Sequence, residues 1–173
     1  MSKAIQLIEK VLTAEECETI LKSEHYGNVE NYSDYDEMSV DVSDATRNKI
    51  VDAVNKHLVK MKILPSEVGD TYELDCIRIA HIENIISTHY DPPSQHENWE
   101  HIYTRHFVCV IYLTQFEMGE LIFPQHGRII KPNLGDMVIF PTGPFYKHQV
   151  NISEGDRWIL RPNFDLISYK DRK

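Results

Sequence analysis

The chain has 173 residues, 42% hydrophobic and 26% charged, which suits a globular protein with one substantial core. It carries 18 basic and 27 acidic residues, net −9, which argues against a phosphate-backbone partner. No run approaches the ~18 apolar residues of a membrane span, the start MSKAIQLIEKVLTAEEC lacks a secretory leader's apolar run, and the isolated Cys17, Cys76 and Cys109 read as reduced thiols. The expectation is a cytoplasmic protein that engages neither membrane nor nucleic acid.

Residues 4–12 (AIQLIEKVL) predict a short strand or lead-in. Thr13-Ala14-Glu15-Glu16 is a capping box, with Glu three residues after the cap, and the helix it opens runs to about Ser23. The polar stretch HYGNVENYSDYDE reads as loop, and MSVDV at 38–42 as an edge strand. Ser43 or Asp44 caps a second helix, with Ile50, Val54, Leu58 and Met61 on one face. Pro65 opens a short connection. Strands are then predicted at 73–81, 85–90, 107–114, 119–123, 127–131, 136–140, 145–150 and 156–164, separated by glycine-containing turns. Eight short extended runs suggest a sandwich, jelly roll or barrel. Residues 92–104 (PPSQHENWEHIYT) form a long polar loop. Internal repeats and linkers are absent, so 1–173 reads as one domain.

The chemistry concentrates in the second half. His89 and Asp91 are two apart on an extended segment, so their side chains point to one side. A His from a distant segment, His148, can complete a three-ligand face. Two His and one carboxylate with open positions is the usual site of a non-haem Fe(II) oxygenase. Arg157 lies nine residues past His148, where a strand can carry a carboxylate-binding guanidinium deeper into the same cavity. A second His-x-acid pair, His81-Ile82-Glu83, is the fallback ligand set.

From His89 to about Phe164 the chain resembles the prolyl-4-hydroxylase-like branch of the Fe(II)/2-oxoglutarate oxygenases. The resemblance rests on His89-Tyr90-Asp91, Arg105, Tyr112-Leu113-Thr114, Gly119 to Pro124, Pro132-Asn133-Leu134-Gly135-Asp136, Phe140, His148 and Arg157-Trp158. The segment VLTAEECETIL matches the family's lead-in to its first helix, while residues 24–72 match in outline only. Departures are Ala80 and Ile86, where relatives often carry aromatics, and Met118 in place of a first glycine before the Phe-Pro strand.

The resemblance implies an α+β, mainly β protein. Its core would be a double-stranded β-helix (jelly-roll, cupin-like) over 73–164, with 1–72 as helical support and two or three N-terminal helices packed on one sheet. It implies His89, Asp91 and His148 as iron ligands. Arg157 would bind the distal carboxylate of 2-oxoglutarate. Tyr112 is either a second donor to that carboxylate or a core aromatic. Arg105 is either substrate-facing or part of a structural ion pair, and Trp158 is core packing. Implied cofactors are Fe(II), with 2-oxoglutarate and O2 as cosubstrates and ascorbate as an optional further one. The implied reaction couples decarboxylation of 2-oxoglutarate, to succinate and CO2, to hydroxylation of a substrate C–H. The leading substrate is a prolyl residue in a peptide or protein, over which loop 92–104, with Trp99, would fold. The alternatives are hydroxylation of a free amino acid or other small molecule, and a non-catalytic metal-binding jelly-roll module.

Overall fold

The computed structural model describes residues 4–32, 35–61, 71–82, 85–91, 106–150 and 157–167. The strands are β1 (Gln6–Ile8), β2 (His25–Tyr32), β3 (Tyr35–Val40), β4 (Thr71–Ile82), β5 (Ile86–His89), β6 (Phe107–Tyr112), β7 (Leu121–Phe123), β8 (Arg128–Ile130), β9 (Met137–Pro141), β10 (His148–Val150) and β11 (Arg157–Ile167). Two helices, α1 (Ala14–Lys22) and α2 (Asp44–Met61), precede β4.

The strands form two antiparallel sheets. The major sheet runs β1-β9-β6-β11-β4-β3-β2 and the minor sheet β5-β10-β7-β8. The eight strands from β4 onward divide four to each sheet, crossing between sheets at every step except the β7–β8 hairpin, in the pattern of a jelly roll. Each of the eight predicted runs overlaps one of them, and β4 and β11 extend beyond the expected 73–81 and 156–164. The main boundary shift is at 145–150: residues Pro144–Tyr146 form a 3-10 turn, and only His148–Val150 is strand.

Strand periodicity explains why the major sheet is apolar on both faces. In β6 and the residue after it, Phe107, Cys109, Ile111 and Leu113 join a core that includes Cys17 and Ile20 of α1 and Ile50, Val54 and Leu58 of α2. The intervening Val108, Val110 and Tyr112 join the core between the sheets. β9 repeats the split, with Met137 and Ile139 toward the helices and Val138 and Phe140 toward the minor sheet. Alternation of two apolar sets gives a continuous apolar run in sequence.

The helix starts are as predicted. Thr13 accepts from the Glu16 amide at 3.2 Å, and Glu16 accepts from the Thr13 amide at 2.9 Å. At the second helix Ser43 Oγ accepts from the Thr46 amide at 3.2 Å. A glycine turn locks the lead-in to the core. The Gly135 carbonyl accepts from Leu12 N, the Gly135 amide donates to Tyr112 O, and φ of Gly135 is +80°. The Asp136 carboxylate is buried and accepts from the amides of Lys10 and Asn133.

The N-terminal third differs from its expected form. The stretch read as loop is strand: β2 and β3 form a hairpin, and β3 pairs with β4. β3 is therefore an inner strand, and β2 is the edge. With β1, this part of the chain supplies three strands as well as helical support. Among the described residues no helix is long and apolar enough to cross a membrane.

Candidate metal and cosubstrate site

His89 ends β5, Asp91 follows two residues on, and His148 opens the neighbouring β10. His148 pairs directly with His89 in the ladder, so two residues 59 positions apart in sequence face each other across adjacent strands. One ligand atom from each of the three lies within 4.8 Å of the other two. His148 Nε2 is 3.4 Å from Asp91 Oδ2.

Backbone contacts orient all three. His89 Nδ1 lies 2.9 Å from Ser87 O, and His148 Nδ1 lies 3.0 Å from Tyr146 O. A carbonyl only accepts, so each Nδ1 carries the proton and each Nε2 keeps its lone pair for a metal. The Asp91 carbonyl accepts from the Gly143 amide at 2.9 Å, tying this segment to the turn before β10. The rings of Phe140 and Phe123 flank His148 at 4.8 and 5.6 Å. Burial lowers the His148 pKa, while the Asp91 carboxylate pulls it the other way. The net direction favours the neutral imidazole that a metal needs.

The three residues open onto a pocket between the sheets, about 470 Å³ with its mouth included. Its walls are apolar, with Ile82, Val108, Leu121, Val150 and Ile159 among them. Arg157 and Tyr112 also line it. Arg157 is 1% exposed, and its Nε and Nη1 have no hydrogen-bond partner among the described residues, nor does the buried Tyr112 hydroxyl. Burial raises the Tyr112 pKa, so the hydroxyl keeps its proton and remains a donor. The guanidinium carbon lies 5.3 Å from the Tyr112 ring centroid and 5.0 Å from that of Phe116. Gly119 makes room for it: a Cβ there would sit 3.2 Å from Arg157 Nη1. Buried donors without acceptors are costly in a folded protein. Two such groups lining one pocket are suited to an anion.

Other residues fall elsewhere. His81 stacks on Trp158 at 4.4 Å, and Trp158 packs against the helix-side core, so this His is on the far face of β4 from the pocket. Glu83, its partner in the fallback set, lies outside the described residues, as do Trp99, Arg105 and the whole 92–104 loop. Thr114 Oγ1 accepts from the Trp158 amide at 2.9 Å and so fixes the start of β11. Ile86, in place of an aromatic, lines the pocket. Sequence reasoning missed Glu37 and Arg161. Arg161 Nη2 donates to Asp91 Oδ1 at 3.2 Å, and Arg161 Nη1 donates to Glu37 Oε1 at 2.6 Å. Arg161 shares the pocket-facing side of β11 with Arg157 and Ile159, and that spacing was the available signal; Glu37 gave none.

Residues 77–165 match the family model described as the 2OG-Fe(II) oxygenase superfamily. The chain belongs to that superfamily. Comparison with curated proteins gives no match. Among solved structures, a viral collagen prolyl hydroxylase from Paramecium bursaria Chlorella virus-1, in its 2OG complex, superposes with a TM-score of 0.71 at 15% identity, covering 95% of this chain and 97% of that one. A Pseudomonas putida prolyl-4-hydroxylase gives 0.59 at 16% identity, with 94% and 92% covered. A Trichoplax adhaerens prolyl hydroxylase, in complex with a hypoxia inducible factor oxygen degradation domain peptide fragment, gives 0.65 at 10% identity, with 99% and 86% covered. At these identities the likeness is one of fold.

The superfamily's Fe(II) and 2-oxoglutarate fit the residues present. A His-Asp-His set whose imidazoles carry the proton on Nδ1 and the lone pair on Nε2 suits iron. The orphaned donors of Arg157 and Tyr112 suit a carboxylate.

Proposed function

We propose that the chain is an Fe(II)- and 2-oxoglutarate-dependent dioxygenase that hydroxylates a C–H bond, with a prolyl residue of a peptide or protein as its substrate. One observation carries the reading. His89, Asp91 and His148 converge at a pocket lined also by buried donors of Arg157 and Tyr112 that have no partner among the described residues. A metal site and an anion site in one cavity are what a metal-bound oxo-acid requires.

In this reading His89, Asp91 and His148 hold the iron. Arg157 and Tyr112 take the distal carboxylate of 2-oxoglutarate. When bound, iron supplies O2 activation, and the balanced outcome is hydroxylated product, succinate and CO2. The protein's own share is placement. Ser87 O and Tyr146 O fix the two imidazoles, and the Gly143 amide fixes the Asp91 segment. The apolar walls keep water from the reacting centre. The shared fold of three prolyl hydroxylases supports the prolyl substrate, and the free Cys17, Cys76 and Cys109 support a reducing, cytoplasmic setting.

The test is anaerobic addition of Fe(II) and then 2-oxoglutarate, followed by O2 and proline-rich peptides. A visible metal-to-ligand charge-transfer band, succinate release and a peptide mass gain of one oxygen on proline are expected. His148→Ala removes the band. A band and succinate without any peptide product would shift the substrate to a small molecule. Absence of the band in folded, iron-loaded protein would refute the cosubstrate assignment.

A further inference from the structure

Asp91 is backed by a chain of alternating charge whose two central members, Arg161 and Glu37, are buried. Its Oδ1 accepts from Arg161 Nη2 at 3.2 Å, while its Oδ2 faces His148 Nε2 at 3.4 Å. The Arg161 guanidinium also donates to Glu37 Oε1 at 2.6 Å, and Arg78 Nη1 donates to Glu37 Oε2 at 3.2 Å. Glu37 is 2% exposed and Arg161 6%. The two carboxylates come from β3 and from just beyond β5, and one guanidinium on β11 spans them.

We propose that Arg161, braced by Glu37, is a positioning residue that makes Asp91 a one-oxygen metal ligand. The inference rests on the reading of His89, Asp91 and His148 as the metal centre. A carboxylate alone can turn about its Cβ–Cγ bond and offer either oxygen or both. Here the guanidinium occupies one oxygen and leaves the other facing His148. The planar fork suits this because its donors sit at fixed angles, and Glu37 fixes the fork in turn. The hairpin β2–β3 thereby reaches the metal site through a single side chain.

Two effects oppose each other, and their sum gives the test its sign. A cation beside a ligand repels a divalent ion and weakens binding. Correct orientation of the ligand strengthens it, and partners of this kind typically matter 10–100-fold. If charge alone mattered, Arg161→Gln would tighten metal binding. If positioning dominates, the same change loosens it.

Mn(II) binding, followed by electron paramagnetic resonance at 20 °C or so, reads the effect without turnover. Arg161→Gln should weaken Mn(II) by about 10-fold or more. Arg161→Lys, which keeps the charge and loses the fork, should also weaken it. Glu37→Gln should weaken it less, and adding Glu37→Gln to Arg161→Gln should change nothing further, since Glu37 acts through Arg161. The Fe(II)/2-oxoglutarate charge-transfer band should shift in the same variants. Unchanged or tighter Mn(II) binding by folded Arg161→Gln, with wild type binding normally, overturns the proposal. Should Arg161→Gln fail to fold, wild-type affinity in folded Arg161→Lys and Glu37→Gln overturns it equally. Wild type that binds no Mn(II) and gives no band refutes the metal centre itself, and this inference falls with it.

Discussion

Arg157→Met should make the ligand-free protein more stable while removing its response to 2-oxoglutarate. The guanidinium is almost fully buried, and two of its nitrogens lack a partner among the described residues. Each buried, unmade donor costs about 1–3 kcal/mol. The Tyr112 and Phe116 rings return about 2 kcal/mol through cation–π attraction. Methionine fills comparable space, has no donor to satisfy and adapts to irregular cavities. The net gain is on the order of 1–2 kcal/mol, or roughly 2–8 °C in melting temperature for a chain of this size. With 2-oxoglutarate at about a hundred times its Kd, wild type gains about 2.7 kcal/mol and the variant gains nothing, so the order of the two proteins inverts. Differential scanning fluorimetry of both, with Mn(II) and with and without 2-oxoglutarate, measures this directly. A variant that melts below wild type without ligand would show that Arg157 is satisfied in the free protein. One that keeps its 2-oxoglutarate shift would refute the clamp.

Tyr112→Phe removes one donor from the same end of the pocket and should weaken 2-oxoglutarate about 3- to 10-fold by calorimetry while leaving Mn(II) affinity unchanged. Gly135→Ala should destabilise the fold by about 3 kcal/mol in urea titrations, because its φ is +80° and the new Cβ would meet Leu12 O at 2.1 Å. The burial of His148 makes stability depend on pH. Its folded pKa is lowered, chiefly by desolvation, so above ~6.5 neither state binds the proton. Below that value the unfolded chain takes up a proton that the native state refuses, and metal-free stability declines as pH falls toward the folded pKa. Chemical denaturation of the metal-free protein between pH 7.5 and 5.5 should show this slope, reduced in His148→Gln; an equal slope in both would place the effect elsewhere.

The jelly-roll half was readable because its rules are local. Strands such as β6 and β9 are short apolar runs, and Gly119, Gly127, Gly135 and Gly143 all adopt positive φ in the turns between strands. That His89, Asp91, His148 and Arg157 would meet at one pocket was readable because strand period and family spacing agree. The β2–β3 hairpin was not, since HYGNVENY carries little apolar pattern and its pairing is one-sided. The Glu37–Arg161 contact spans 124 positions, and nothing local in either segment marks the partner. Sequence alone allows Tyr112 as a core aromatic or as a donor to an anion. It is buried in the inter-sheet core and also lines the pocket with an unpaired hydroxyl, so packing and anion binding are compatible in one residue.

Strand β6 carries two independent messages on one backbone. Its odd-numbered positions anchor the helices, and its even-numbered positions shape the pocket wall. Selection can therefore revise Val108 or Val110, and with them the room beside the metal, without loosening the attachment of α1 and α2. The arrangement tolerates substitution far better than insertion or deletion. Removing one residue from the strand would exchange the two alphabets, putting helix-anchoring side chains into the cavity and pocket side chains under the helices. Variation in substrate choice on this scaffold should consequently accumulate at alternate positions, with strand length held constant.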